Sequence, residues 1–226
     1  MSRHLLRQID KLKKMILALG AMVEESVEGA ILAVDRRDVA LAEKIMAEDE
    51  KIDQMEIDVE EECLHTLALH QPVAFDLRYV VAVLKINNDL ERIADQAVNI
   101  CKQACFLAAH GAVEHAPFDF QNMKTRVRQM VKDSLDALVN TDRELAERVM
   151  RTDDEIDAIH EKMYNRLADE MHAHPDQIPQ LINYQNISRQ LERIADHAVN
   201  IAEDVIYLAS GDIHRHGRYL FREETA

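Results

Sequence analysis

One twelve-residue block occurs twice in this chain and constrains its fold more than any other feature. Residues 89–100 read DLERIADQAVNI and residues 190–201 read QLERIADHAVNI, at an offset of 101 residues (192 − 91). A second set of matches lies upstream at an offset of 104 residues (157 − 53): Ala42, Glu43, Met46, Asp49, Ile52 and Asp53 return as Ala146, Glu147, Met150, Asp153, Ile156 and Asp157. Two blocks in the same order indicate an internal duplication of one structural unit.

The hydrophobic periodicity of each copy predicts three helices. From Leu5 to Val34, apolar residues recur at alternating steps of mostly three and four, as in a helix packed in a bundle. Asp38 fits the N-cap of a second helix, which runs to about His70, where Gln71 and Pro72 end it. A third helix is expected over about 76–109. In the second copy the helices are expected over about 120–140, 142–172 and 178–210, closed by Gly211.

Composition and loop signals complete this prediction of an all-α fold. Only 5 Gly and 4 Pro occur in 226 residues, whereas the good helix formers Ala, Leu and Glu are abundant. Gly111 and Pro117 mark a linker between the copies. We therefore expect a first three-helix repeat over 1–110, a linker over 111–119 and a second repeat over 120–226.

The net charge of −15, with a pI near 5.1, predicts which partners the surface favours. Such a surface repels nucleic acid and anionic lipid, so we expect no direct binding to DNA or to a membrane. It favours metal cations or a basic protein. No apolar run approaches the roughly 20 residues of a membrane span. The N-terminus lacks a secretion-signal layout, and the three cysteines are a sparse, odd set, so the expected location is the cytoplasm.

Carboxylates interrupt the apolar pattern of the third helix. Leu77, Val81 and Leu84 mark one side of its apolar stripe, and the same line continues by threes and fours through Asn88, Glu91, Asp95 and Asn99. The second copy repeats this with Glu192, Asp196 and Asn200, and Ser188 replaces the leading asparagine. A buried carboxylate is costly unless it is paired or bound to a metal. The stripe therefore predicts a functional site in each copy.

The second helix of each copy supplies a matching acidic pair. Asp49 and Asp53, like Asp153 and Asp157, are four residues apart and so share one helical face. Carboxylates from adjacent helices suit hard or borderline cations such as Mg²⁺, Mn²⁺ and iron. Glu56 and its counterpart His160 are further candidate ligands. The predicted metal-ligating residues are Asp49, Asp53, Glu91, Asp95 and Asn99 in the first copy, and Asp153, Asp157, Glu192, Asp196 and Asn200 in the second.

Three other interpretations remain open at this point. The carboxylates could pair with Arg92 and Arg193, although consecutive helical residues are expected to point in different directions. The chain could be a ferritin-like di-metal oxidase or metal-storage bundle, since residues 62–65 read Glu-Cys-Leu-His, but the second copy lacks that motif. It could also be a structural bundle whose acidic stripe docks basic surfaces. No nucleophile with a base and no phosphate-binding loop is apparent, so we do not expect an enzyme.

Several of these motifs together resemble the PhoU family. The two Leu-Glu-Arg-Ile-Ala-Asp blocks resemble its acidic signature, and the two aspartate pairs resemble its partner motifs. The segments Met22–Glu24, Gln71–Arg78 and Gly211–His216 are similar to family motifs too. The resemblance covers nearly the whole chain and implies two antiparallel three-helix bundles with pseudo-two-fold symmetry.

The resemblance also implies a function and its partners. Members often assemble as dimers, and the resemblance implies multinuclear metal clusters, with iron or zinc in some members, at the duplicated acidic pairs. The family restrains the phosphate-starvation response when phosphate is plentiful. The implied partners are a sensor histidine kinase and the cytoplasmic ATPase of a phosphate ABC transporter. Because His160 stands where the first copy has Glu56, the two clusters are expected to differ.

Overall fold

The computed structural model describes residues 3–111, 113 and 120–211. Over these residues the chain forms six α-helices and one short 3₁₀ turn, Pro175–Gln177, and no strand. This confirms the predicted all-α fold. Most of the predicted linker and the segment after Gly211, including the rest of the Gly211–His216 motif, lie outside the described residues. The helices are α1 (Arg3–Arg36), α2 (Val39–His70), α3 (Ala74–His110), α4 (Phe120–Asn140), α5 (Arg143–Ala173) and α6 (Ile178–Ser210).

The duplication extends to the backbone of the connection between the first and second helices of each repeat. Asp38 and Asp142, which are 104 residues apart, cap α2 and α5: each carboxylate accepts a hydrogen bond at 3.0 Å from the backbone N–H three residues on. The residues before them, Arg37 and Thr141, both adopt left-handed backbone with φ of 53° and 51°. Two non-glycine residues held in the same uncommon conformation at equivalent positions show that the copies share local geometry as well as sequence.

The start of α3 differs from the prediction. The helix begins at Ala74, two residues before the predicted Asp76, and Ala74 itself has a φ of 51°. Gln71, at the end of α2, has a φ of 44° and donates its N–H to the carbonyl of Leu67. The connection between α2 and α3 is therefore a tight turn held at two left-handed positions, which Pro72 alone did not reveal.

Antiparallel helix pairs join the two repeats. α3 and α6 run antiparallel, since Lys85 pairs with Asp204 and Asp89 accepts from Asn200 at 3.0 Å. Arg78 likewise lies at the Gly211 end of α6, with its guanidinium carbon 3.6 Å from where a Cβ on that glycine would stand. The loop between α2 and α3 and the loop between α5 and α6 consequently lie at opposite ends of the molecule.

The hydrophobic core is continuous through both repeats. Its largest fully buried side chains come from α1, α3, α4 and α5, among them Leu12, Ile86, Met123 and Ile156. α1 and α4 are in contact at Gly20, where a Cβ would lie 2.7 Å from Leu135 Cδ2, so a side chain at this position would displace the end of the Leu135 side chain. None of the helices in the described part of the chain is both long and apolar enough to cross a membrane.

Candidate metal centres

The first acidic cluster lies where α2 packs against α3. Burial, followed by the negative charges of Asp53 and Asp95, raises the pKa of Asp49, while Lys102 opposes this shift. Burial and then Asp95 raise the pKa of Glu91, with smaller contributions from Asp53 and Glu56. Each carboxylate thus experiences charges from the facing helix, as well as from its own. The structure therefore brings together four of the five metal ligands predicted for the first copy, and the exception is Asn99.

Arg92 places a positive charge beside two carboxylates of the first cluster, although the sequence analysis expected this side chain to point away from them. Its Nε lies 3.4 Å from Glu91 Oε2, and its Nη1 lies 3.8 Å from Asp95 Oδ2. The expectation that Arg92 would point away from these carboxylates is therefore wrong, because the long arginine side chain folds back along the helix surface. Half of the Arg92 side chain is exposed, so water screens these ion pairs. The first cluster is partly neutralised from within the chain.

The apolar stripe of α3 is displaced by one residue from the predicted line. Leu77 and Asn88 are exposed, whereas Val80, Val83 and Asn87 are buried. The acidic line consequently runs along the edge of the core and the α2–α3 groove. Asn87, not Asn88, is the asparagine that faces α2: its Nδ2 donates to the Glu56 carbonyl at 2.9 Å and to Glu56 Oε1 at 3.2 Å. The 101-residue offset pairs Asn87 with Ser188, so alignment of the two repeats could have identified Asn87 from the sequence.

The second acidic cluster lies where α5 packs against α6, and its electrostatics are more extreme. Burial raises the pKa of Asp153 from 3.8 to about 7, and the charges of Asp157, Asp196, Asp154 and Glu192 add to the shift. Asp153 Oδ1 is buried and has no hydrogen-bond partner among the described residues. An unsatisfied, half-buried carboxylate facing other carboxylates is an arrangement that a cation would stabilise.

A positive charge nearby does not cancel this effect at Asp196. Burial, Glu192 and Asp157 raise the pKa of Asp196, while His197 and Arg193 lower it, and the net shift remains upward. Lys102, which opposes the shift at Asp49, corresponds by the offset to Glu203 in the second repeat. The duplicated acidic positions therefore sit in two different electrostatic settings.

His160 is oriented by a buried hydroxyl. Its Nδ1 lies 2.8 Å from Ser188 Oγ, and this hydroxyl donates to Met123 Sδ at 3.3 Å. In the tautomer that carries its proton on Nδ1, the histidine donates this proton to Ser188 Oγ, and the hydroxyl proton is free to go to the methionine sulfur. The lone pair of the neutral ring is then on Nε2, which lies 3.8 Å from Glu192 Oε2. An outer partner of this kind fixes a histidine for metal binding, and sequence reasoning missed Ser188 in this role.

The two predicted asparagine ligands make other contacts. Asn99 Oδ1 accepts from Lys102 at 3.2 Å. Asn200 donates to Asp89 Oδ1, which also lies 2.8 Å from His197 Nδ1, on the wall of a separate cavity of about 680 Å³ between α3 and α6. Neither hydrogen bond reaches the carboxylates of a cluster. The structure thus brings eight of the ten predicted residues together in two groups of four.

The donor chemistry of both clusters fits a cation that prefers oxygen ligands. Within the described residues, no three histidine, cysteine, aspartate or glutamate side chains already converge as metal ligands would. The four carboxylates of each cluster are nevertheless close enough to shift one another's pKa, and Glu91 Oε2 and Asp153 Oδ1 are buried without hydrogen-bond partners. Rotation of exposed Asp53 and Asp157 side chains would supply further oxygens. Metal binding at these sites remains a prediction.

Comparison with known proteins places both repeats in one family. The PhoU domain family model matches residues 16–104 and 120–205. A phosphate-specific transport system accessory protein PhoU homolog from Pseudomonas putida is 37% identical over 209 residues, covering 92% of this chain and 82% of the relative. A homolog of the same description from Aquifex aeolicus is 34% identical over 213 residues, which cover 94% of this chain and 96% of the relative.

Solved structures share the architecture. The crystal structure of PhoU from Pseudomonas aeruginosa superposes with a TM-score of 0.89 at 35% identity, covering 91% of this chain and 99% of that one. The phosphate transport system regulatory protein PhoU from Streptococcus pneumoniae gives a TM-score of 0.83 at 29% identity, covering 94% of this chain and all of that one. With both repeats matched by the family model and the fold shared over nearly its whole length, the chain belongs to the PhoU family.

Proposed function

We propose that this chain is a negative regulator of the phosphate-starvation response that also modulates phosphate uptake. The observation that carries the proposal is the match of the PhoU domain to both repeats, together with relatives described as phosphate-specific transport system accessory proteins. The chain would act in the cytoplasm as a homodimer and without catalysing a reaction. When phosphate is plentiful, it would hold the response off.

Two partners follow from this role. One is the sensor histidine kinase of the phosphate two-component system, and the other is the cytoplasmic ATPase of the phosphate ABC transporter. The strongly acidic surface, at a net charge of −15, supports docking onto basic faces of such partners. The two ends of the molecule differ in their loops, so different surfaces are available to the two partners.

The acidic clusters would bind divalent or trivalent metal ions, of which iron, zinc, manganese and magnesium are candidates. In the first cluster the ligands would be Asp49, Asp53, Glu91 and Asp95, and in the second Asp153, Asp157, Glu192, Asp196 and His160. A bound cation would neutralise charges that α2 and α3, or α5 and α6, now direct at each other. It would thereby hold the helices of each pair in a fixed relation.

The regulatory role is tested by deleting the gene in its native host and measuring a starvation reporter, such as alkaline phosphatase, in phosphate-rich medium. We expect high constitutive expression in the deletion strain and restoration of low expression by this chain. Low expression in the deletion strain, with no second copy of the gene present, would contradict the proposal. Co-purification of the tagged chain with the kinase and the ATPase tests the partners separately.

The alternative of a ferritin-like di-metal oxidase gains no support from the structure. Within the Glu-Cys-Leu-His motif, Glu62 is buried and forms an ion pair with Lys11, while His65 is exposed. The two side chains therefore do not face a common site. Oxygen consumption by iron-loaded protein would reopen this alternative.

A further inference from the structure

The end of the molecule at the α2–α3 loop carries an exposed apolar surface. Residues 63–75 contain no aspartate, glutamate, lysine or arginine, in a chain that is 31% charged. Four large apolar side chains are exposed at this loop: Leu69 at 65%, Val73 at 73%, Phe75 at 47% and Leu77 at 41%. We call these four residues the apolar tip. Exposure of this kind in a short segment marks an interaction surface.

The last helix, α6, ends beside the apolar tip. The position that a Cβ on Gly211 would take lies 3.6 Å from Cζ of Arg78, and the same Cζ lies 5.9 Å from the Phe75 ring centroid. One guanidinium therefore links the end of α6 to the edge of the apolar tip. The structure describes the chain up to Gly211, so the segment that follows starts next to the exposed apolar side chains.

Arg78 lacks an anionic partner at this junction. Among the described residues, its Nε is buried without a hydrogen-bond partner, and its guanidinium forms no ion pair with a carboxylate. A buried donor of a charged group is costly when it is left unpaired. Asp212 is the residue that follows Gly211 in the sequence, and it supplies a carboxylate at the place where Arg78 needs one.

The sequence beyond Gly211 contains apolar residues that match the apolar tip. Residues 213–222 read IHRHGRYLFR, so three large apolar residues stand together at 219–221. Eight residues separate Gly211 from Tyr219, and an extended chain of that length spans up to about 28 Å. The segment is therefore long enough to lay these three residues on the apolar tip.

The charges of this segment also suit the surface of its own chain. Residues 213–222 contain three arginines and no acidic residue, whereas the whole chain has a net charge of −15. The exposed charges near the apolar tip are of both signs, and the carboxylates among them are those of Asp10, Glu60 and Glu61. These three lie within about three helical turns of Leu69 along α1 and α2. Arginines on both sides of residues 219–221 are attracted to such a surface.

The first repeat shows a similar arrangement at the opposite end of the molecule. Its third helix, α3, ends at His110, whose carbonyl accepts a hydrogen bond at 3.1 Å from Gln180 Nε2 near the start of α6. Val113, three residues further on, is 8% exposed and belongs to the hydrophobic core. The chain that leaves the third helix of the first repeat thus turns back onto the bundle. The segment after Gly211 holds the equivalent position in the second repeat.

We propose that residues 212–222 fold back onto their own chain, with Asp212 paired to Arg78 and residues 219–221 covering the apolar tip. A second copy of the chain is the less favourable occupant, because the segment is already tethered at the apolar tip and its docking avoids the entropic cost of association. Any partner that docks on the apolar tip then has to displace this segment first.

Disulfide trapping in the full chain tests the proposal. Val73→Cys with Leu220→Cys should form a bridge within one chain, and the control pair is Ile182→Cys with Leu220→Cys. Ile182 lies about 43 Å along α6 from Gly211, farther than the roughly 32 Å that an extended chain spans from Gly211 to Leu220. We therefore expect the first pair to bridge at least about tenfold faster than the control.

The mass of the trapped product identifies the occupant. A bridged product with the mass of one chain is expected. A product with the mass of two chains would show that the segment docks on a second copy, and equal rates for the test and control pairs would show that it does not dock at the apolar tip. Either result would overturn the proposal. Leu220→Cys alone reveals any bridge to the native cysteines, of which Cys63 and Cys101 are buried.

A tryptophan reporter measures the same contact without a cross-link. The chain contains no tryptophan, so Phe221→Trp introduces a single fluorophore. We expect its emission to lie at shorter wavelength than in a chain that also carries Val73→Ser and Phe75→Ser, because the serines remove the apolar surface against which the indole packs. Ile182→Ser, at the opposite end, should leave the emission unchanged. Identical emission with and without the two serines would contradict the proposal.

The pair between Asp212 and Arg78 is tested in the same reporter chain. Asp212→Asn and Arg78→Gln should each shift the emission towards that of exposed tryptophan, and the two together should shift it no further than either alone. Additive shifts would show that the two side chains do not pair. The starvation reporter and metal binding do not enter these measurements, so failure here leaves the proposed function untouched.

Discussion

The first and second acidic clusters descend from one duplicated pattern, yet they balance their charge differently. In the first, Arg92 lies within 4 Å of both Glu91 and Asp95, and Lys102 opposes part of the rise in the pKa of Asp49. In the second, burial and the charges of four neighbouring carboxylates raise the pKa of Asp153 to about 7. Duplication preserved the carboxylates, while the residues around them diverged. The second cluster has the greater need of an external cation.

The two clusters also differ in the kind of ligand that completes them. Glu56 in the first is bound by Asn87, and His160 in the second is bound by Ser188. The first set of donors consists of oxygens only, whereas the second adds an imidazole nitrogen. Oxygen-only sites suit Mg²⁺ and Mn²⁺, and imidazole favours zinc and iron. We therefore expect one chain to hold two sites of different affinity and selectivity.

The largest expected effect is the loss of metal from the second cluster. Asp153→Asn with Asp157→Asn should lower the affinity of the second cluster for Zn²⁺ more than about a hundredfold. This loss is larger than the one expected from removing a residue that only orients a ligand, because both substitutions remove ligands. Titration calorimetry should then show one class of sites in place of two. The matched control, Asp49→Asn with Asp53→Asn, should leave the tighter class intact. If the control variant instead loses the tighter class, the ranking of the two clusters is reversed.

Exchange of the histidine tests selectivity. His160→Glu should lower the Zn²⁺ affinity of the second cluster by about ten- to a hundredfold, and Ser188→Ala should lower it about tenfold, because Ser188 directs the ring nitrogen. The reciprocal change, Glu56→His, should raise the Zn²⁺ affinity of the first cluster. Competition of Zn²⁺ against Mn²⁺ measures both. An unchanged metal preference in His160→Glu would remove the histidine from the site.

The pKa of Asp153 predicts how stability depends on pH in metal-free protein. Its pKa is about 7 in the folded chain and 3.8 ordinarily, so the unfolded chain loses this proton first as pH rises. The contribution of Asp153 to the free energy of unfolding is therefore most favourable below about pH 4. It decreases as pH rises and is lost above about pH 7. After allowance for solvent screening of a half-exposed group, Asp153→Asn should stabilise the chain by about 1–2 kcal/mol at pH 8.

Denaturant unfolding in chelator at pH 5 and at pH 8 measures this effect. The wild-type and Asp153→Asn proteins should differ more at the higher pH, and Asp49→Asn should show a smaller difference between the two values. Added metal should reverse the order at pH 8, because the cation stabilises only the chain that binds it. A constant difference between the proteins at both pH values would contradict the shift in pKa.

The fold could be read from the sequence because its signals are local. The apolar periodicity predicted six helices, and the caps Asp38 and Asp142 act on backbone within three residues of themselves. The start of α3 was missed because its left-handed Ala74 depends on how α2 and α3 pack around the turn. A conformation imposed by tertiary packing leaves no periodic signature in the sequence.

The candidate site could be predicted only in part. The acidic pairs were found because residues four apart share a helical face, which needs one helix alone. The buried face of α3 was placed one residue out, so Asn88 was named instead of Asn87, although alignment of the repeats would have found it. The partner of Asn200 could not be found in this way, because Asp89 lies on the other repeat. Contacts between helices need the three-dimensional register.

Arg92 should produce the smallest effect and the most direct test of why the clusters differ. Arg92→Gln removes a cation within 4 Å of Glu91 and Asp95, so both carboxylates become available to metal and the Mn²⁺ affinity of the first cluster should rise. Because the Arg92 side chain is half exposed, its ion pairs are worth at most about 1 kcal/mol, which corresponds to about fivefold in affinity. Arg193→Gln is the matched control in the second repeat. If both variants raise affinity equally, Arg92 does not account for the difference between the clusters, and the contrast would rest on Lys102 and His160.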